Sequence, residues 1–171
     1  MTSQKWAVEV AALVAKFPKF KVMKYSDSKL WGFLQKNFFK WAAATTRGYT
    51  VYFREDYFET DRGVEVLKHE AAHMLDYSKW GILYEFSYLF LLPAVFTMRA
   101  YWEWHGYKET LRSVHEEYAF FKTSDPKYYE YIMDYNCQWV AGIFAGPGYL
   151  WMFPFKKYMY KKCQAFVESL P

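Results

Sequence analysis

At 171 residues the chain has room for one domain with a true core and little room for two. Its residues are 53% hydrophobic and 24% aromatic, which excludes a disordered or low-complexity chain. The net charge of +4 is mild, and apart from Lys156, Lys157, Lys161 and Lys162 the lysines are scattered, so a solvated helix face is expected there and no nucleic-acid footprint.

Taken in chain order, the stretch from Trp6 to Ala15 looks like the core of a leader peptide, but Glu9 interrupts it and Lys16 follows. The pattern predicts an amphipathic first helix over 5–17. No convincing leader means that a cytoplasmic or virion-associated protein is expected. Leu30, Phe33, Leu34, Phe38 and Trp41 recur at helical spacing and predict a second helix over 28–44, broken by Gly48. Tyr49 to Phe53 consists of β-forming residues and predicts a strand. Thr60 or Asp61 can cap a helix that runs to about Tyr77 and stops at Gly81. From Ile82 to Met98, 17 residues carry one charge, Glu85, and approach the lower limit of a membrane span. Glu85 and Pro93 point instead to a buried core helix ending near the proline. Helices are then predicted over 98–122 and 126–140, separated by Ser124-Asp125-Pro126. The aromatic segment Gly142 to Phe155 is too apolar for a linker and reads as packed loop or broken helix. Cys137 and Cys163 form no C-x-x-C pair, and their spacing leaves disulfide formation open. The expected fold is α+β: one mostly helical domain, 1–171, with a small sheet whose edge strand precedes the helix beginning near Thr60.

That helix carries the chemistry. His69-Glu70-Ala71-Ala72-His73 is an H-E-x-x-H sequence. Residues four apart on a helix differ by about 40° around it and about 6 Å along it, so both imidazoles can converge on one ion. Zinc is the expected cofactor, one ion per chain. It lowers the pKa of a bound water toward ~7, and Glu70 is turned to face that water as general base. Without metal, the histidines would be a packed core pair.

The helix resembles the active-site helix of the zincin metallopeptidases, and the strand before it resembles the edge strand on which those enzymes lay an extended substrate. The resemblance implies peptide or protein substrates, held along Val51, Tyr52 and Phe53. A wider likeness links most of the chain to short predicted metallopeptidases of bacteria and phages. In these an H-E-x-x-H-x-x-D helix is followed by an apolar, proline-containing stretch and then an Arg-x-x-x-Glu segment, matched here by Arg99 and Glu103.

A catalytic zinc site takes three protein ligands and leaves one position open. Position 79 is lysine, so the third histidine of the metzincins is missing. A downstream glutamate, as in the gluzincin branch, is the alternative. Glu103 is the first candidate, with Arg99 and Tyr107 one turn to either side. Arg99 would hold the carboxylate, and Tyr107 would orient it or donate to the oxyanion as a catalytic residue. Glu109 is the main rival; Glu85, Glu116 and Glu117 are weaker ones. Asp76 lies too far along the helix from His69 to share the ion easily. It is either an outer hydrogen-bond partner of the site or an exposed aspartate near a helix end. His105 reads as a surface histidine, with a transition-state donor near the cleft as the alternative, and His115 has no assigned part.

A zinc-dependent peptidase is therefore the leading expectation. The first competitor is a zinc-binding structural or assembly protein without turnover, for example a phage-particle component that docks a protein partner through the aromatic C-terminal region, and the second is a membrane-associated protein, resting on Ile82 to Met98 and on Val140 to Phe155. Neither nucleic acid nor a membrane is an expected partner.

Overall fold

The computed structural model describes residues 3–37, 42–89, 98–147 and 151–171. The fold is mostly helical α+β with a three-stranded sheet. Its contacts divide the chain into two compact units, Met1–Ile82 and Leu83–Pro171. The division falls inside the apolar stretch, where no change of composition marks it.

In the first unit, α1 (Gln4–Lys16) begins where the Ser3 side chain accepts the Trp6 N–H, and it buries Trp6 and Leu13, two turns apart on one face. Strands β1 (Lys21–Lys24), β2 (Ala44–Arg47) and β3 (Thr50–Phe53) form the sheet in the order β1-β3-β2. β1 runs parallel to β3 and β2 antiparallel to it, with Val22 and Thr46 both opposite Val51. The two-residue turn between β2 and β3 needs a left-handed residue at its first position, and Gly48 supplies it with φ 60°.

Two expectations are corrected here. β3 is the middle strand, not an edge: both of its sides are hydrogen-bonded, and the Val51 and Phe53 side chains are fully buried. Val51, Tyr52 and Phe53 thus have no free main-chain edge to offer a substrate. The second helix is also shorter than 28–44. α2 spans Lys29–Asn37, and Ala44–Arg47 is strand, because the β-branched Thr45 and Thr46 prefer the pleated sheet. Leu30 and Phe33, which set the helical period, are exposed.

The long helix α3 (Asp61–Trp80) is capped by Thr60, whose hydroxyl accepts the Gly63 N–H at 3.0 Å, and it ends at Gly81 with φ 53°. Leu67 and Met74 bury its inner face against Val51, Phe53 and Trp6. Gly63 is where α1 closes on α3. A Cβ there would lie 2.1 Å from the Tyr57 carbonyl oxygen and 2.8 Å from the Trp6 ring. Backbone cannot yield as a side chain can, so Gly63→Ala is expected to lower stability by about 1–3 kcal/mol, read as a lower urea midpoint at unchanged slope.

In the second unit, α4 (Ile82–Leu89) is not the buried core helix anticipated for this stretch. Ile82, Leu83 and Phe86 are 77%, 63% and 56% exposed, and among the described side chains of α4 Tyr84 alone turns fully inward. Residues 90–97, with Pro93, lie outside the described residues. Among the described residues no helix is long and apolar enough to cross a membrane.

Helices α5 (Arg99–Tyr118), α6 (Phe121–Ser124), α7 (Pro126–Ala145) and α8 (Lys156–Glu168) complete the unit. Asp125 caps α7 and Pro126 opens it, the arrangement that Ser124-Asp125-Pro126 predicts. The core joins Tyr107 and Leu111 of α5, Val140 and Phe144 of α7, and Met159 of α8. Cys137 and Cys163 sit in this core as free thiols. A hydrogen bond between them pulls the Cys137 thiol below its ordinary pKa and pushes Cys163 above it.

Candidate metal centre

On α3 the two histidines stand one turn apart with ring centroids 5.1 Å from each other and ring planes at 70°. His73 is 4% exposed and His69 half-buried. Both sit on the flank of α3 beside the core-facing Leu67 and Met74, and the helix fixes their spacing. Two converging imidazoles on one rigid helix are the donor set that zinc takes, so these residues fit the ion.

Between them in sequence, Glu70 is 8% exposed and accepts a hydrogen bond from Thr46 Oγ1 at 2.6 Å. Thr46 belongs to β2, the strand on which α3 packs. Its neighbour Thr45 points to the opposite face, where the Tyr25 hydroxyl donates to Thr45 Oγ1 at 2.7 Å. Burial, with the Glu70 charge adding to it, pushes the Tyr25 phenol above its ordinary pKa and keeps it a donor. Both threonines of β2 are thus committed by their hydroxyls, one of them to the carboxylate of the motif.

β2 is also an edge of the sheet. The Arg54 N–H bonds the Ala43 carbonyl at 2.9 Å, and bonding alternates along an antiparallel pair, so Thr45 and Arg47 address β3. The main-chain groups of Ala44 and Thr46 face away from it. Asp76, three residues after His73, is 4% exposed, which removes the exposed end-of-helix alternative for it.

In the second unit Glu103 is 2% exposed on α5, and among the described residues it is that unit's one buried glutamate. The Tyr88 hydroxyl of α4 donates to Glu103 Oε1, and the Arg99 guanidinium lies over the Tyr88 ring, 5.0 Å from its centroid. Trp102 ties the same helices together, its Nε1 donating to Ser87 Oγ at 3.0 Å. Glu109 forms an ion pair with Arg112, Glu116 and Glu117 are exposed, and Glu85 is half-buried.

Tyr107 is placed differently from its neighbours. Its ring packs in the core against Phe144 and Trp139, at centroid distances of 5.5 and 5.8 Å, and this packing accounts for its burial. His115 is a core histidine, Nδ1 lying 2.7 Å from the Tyr129 hydroxyl. His105 is half-buried, its ring against Tyr101.

Thr46 and Tyr88 are the residues that the sequence did not single out. Thr46 lies 24 positions before Glu70, in a segment that reads as helix end, and Tyr88 is one aromatic among many in an apolar run. Neither position carries a local signal. Comparison with protein-family models, with curated proteins and with solved structures finds no match for this chain.

Proposed function

We propose that the protein is a zinc-dependent metallopeptidase in which His69, His73 and Glu103 hold the ion and Glu70 is the general base. The observation that carries this reading is the motif carboxylate, buried beside two histidines of its own helix and held by Thr46. A histidine pair serving only as core would need no such carboxylate at its side, since burying a charged group without a task is unfavourable.

Zinc, when bound, would acidify water and polarise a peptide carbonyl. The chain's own groups do the rest. Glu70 takes the proton of the attacking water and passes it to the amide nitrogen as the C–N bond breaks. Thr46 fixes which carboxylate oxygen is engaged and leaves the other to the proton. An extended peptide adds to the outer edge of β2, pairing with the main chain of Ala44 and Thr46. Tyr88 orients Glu103, with Arg99 stacked behind it.

The test is metal content of the purified chain, with hydrolysis of a peptide library before chelation, after it, and after zinc is returned. Activity that disappears and reappears with zinc supports the reading; a chain that takes up no zinc overturns it.

A narrower expectation concerns Thr46. Thr46→Val keeps the side chain's shape and removes the hydroxyl, so kcat should fall ~10-fold, the order of one lost hydrogen bond to a charged group. KM and zinc content should stay as they are, and Thr46→Ser should restore most of the rate. A fall confined to KM would make Thr46 a substrate contact only.

A further inference from the structure

Where α7 gives way to α8, the second unit carries side chains that neither its core nor the proposed site uses. Cys137, Val140 and Phe144 of α7 face the core, while Tyr131 and Tyr135 line the opposite, exposed side. Beyond the helix, the Trp151 N–H bonds the Gly146 carbonyl at 2.9 Å, setting an exposed Trp151 ring at that helix end. Its φ of 49° is a left-handed backbone that bulky residues avoid, so the outward ring is held against local preference. Phe155 and Tyr158 follow, both exposed and both packed edgewise or tilted on Phe153.

Past Asp134, which accepts from the Tyr160 hydroxyl and from Gln138 Nε2, the charges that follow have one sign. Between Asp134 and Glu168 there is no acidic residue, and the basic ones are Lys156, Lys157, Lys161 and Lys162. Lys156 and Lys157 stand in the first turn of α8, where the helix dipole disfavours cations, and no acid or side-chain cap offsets them. Lys162 turns away over the Trp104 ring at 4.8 Å. Lys156, Lys157 and Lys161 remain around Phe155 and Tyr158. Cations set against a dipole and large rings left in water both oppose stability, and local rules broken together mark a functional surface.

We propose that this face docks on an anionic lipid surface, with the rings of Trp151, Phe155 and Tyr158 at the headgroup level and the three lysines on lipid phosphates and carboxylates. Charge complementarity selects this occupant. Ammonium groups on flexible stems suit a mobile array of anionic headgroups, and Trp and Tyr are the side chains that settle at a membrane–water interface. A fitted protein partner or a phosphate backbone would be met by arginine forks, and this face has no arginine. The attachment is peripheral and independent of the zinc site.

The full chain is mixed with vesicles of phosphatidylcholine alone and of phosphatidylcholine with phosphatidylserine, and bound protein is measured by sedimentation. Binding is expected only with phosphatidylserine, falling as salt rises, with tryptophan fluorescence quenched by brominated lipid. Lys156→Gln, Lys157→Gln and Lys161→Gln should each weaken binding ~5-fold and together ~100-fold. Trp151→Ala should reduce the quenching. These positions are exposed, and circular dichroism checks that each variant folds. Equal binding to both vesicles, no binding, or full binding by the triple variant overturns the proposal. So does displacement by a single-stranded oligonucleotide at lower concentration than the vesicles, which would assign the face to nucleic acid. Self-association abolished by the same lysine changes overturns it as well, in favour of a second copy of the chain.

Discussion

Glu70→Gln is expected to abolish nearly all peptide hydrolysis, by ~10²–10⁴-fold in kcat, while zinc content stays at the wild-type level. The amide has the size of the carboxylate and keeps an oxygen that can accept the Thr46 hydroxyl, so the hydrogen bond at 2.6 Å need not be lost. What is lost is the site that takes the proton. The fold should be unaffected, because an amide at 8% exposure is easier to bury than a carboxylate. The same variant tests how Thr46 acts. If Thr46 works through Glu70, adding Thr46→Val to Glu70→Gln should cost no further rate, since residues acting as one unit are not additive. Metal analysis and turnover of the two single variants and the double variant decide this. Loss of zinc from Glu70→Gln would make Glu70 a ligand and overturn its role as base.

The motif helix was legible in the sequence because each of its signals is local. Thr60 caps it, Gly81 stops it, and His69, Glu70 and His73 are close in number as well as in space. α7 was legible for the same reason, with Asp125 and Pro126 at its start. The sheet was not. β1 consists of four residues, two of them lysine, and pairs with a strand 29 positions away, so its pairing has no sequence signature. Reading β3 as an edge followed from seeing one strand where three exist. The strand that is an edge, β2, hid behind the helical period of Leu30 to Trp41. The setting of Glu70 and Glu103 was hidden likewise, since Thr46 and Tyr88 reach them from elements distant in sequence. Sequence fixes which groups lie on one helix; what holds them in place comes from packing.

Burial separates the glutamates in a way that spacing did not, and it makes Glu103→Ala the second large effect. A carboxylate at 2% exposure with one oxygen on the Tyr88 hydroxyl has been taken from water at considerable free-energy expense, which the proposed zinc would offset. Glu109, paired with Arg112, has no such need. Removing Glu103, His69 or His73 should each weaken zinc by more than the ~10–100-fold that loss of an outer partner brings, while Glu109→Ala should leave affinity unchanged. Tyr88→Phe, which removes such an outer partner, should fall within that range. A ~100-fold loss of affinity lowers the stabilisation conferred by zinc by about 2.7 kcal/mol, so thermal unfolding with and without zinc reads the effect without any substrate. Alanine at 103 also strands the Tyr88 hydroxyl and can weaken the fold by itself. Glu103→Gln serves as the second variant, since its amide oxygen still accepts from Tyr88 but it lacks the charge. Glu103→Gln should unfold near the wild-type temperature in the absence of zinc and gain little when zinc is added. If it gains as much as the wild type, the third ligand is another residue, and the gluzincin-like arrangement falls with it.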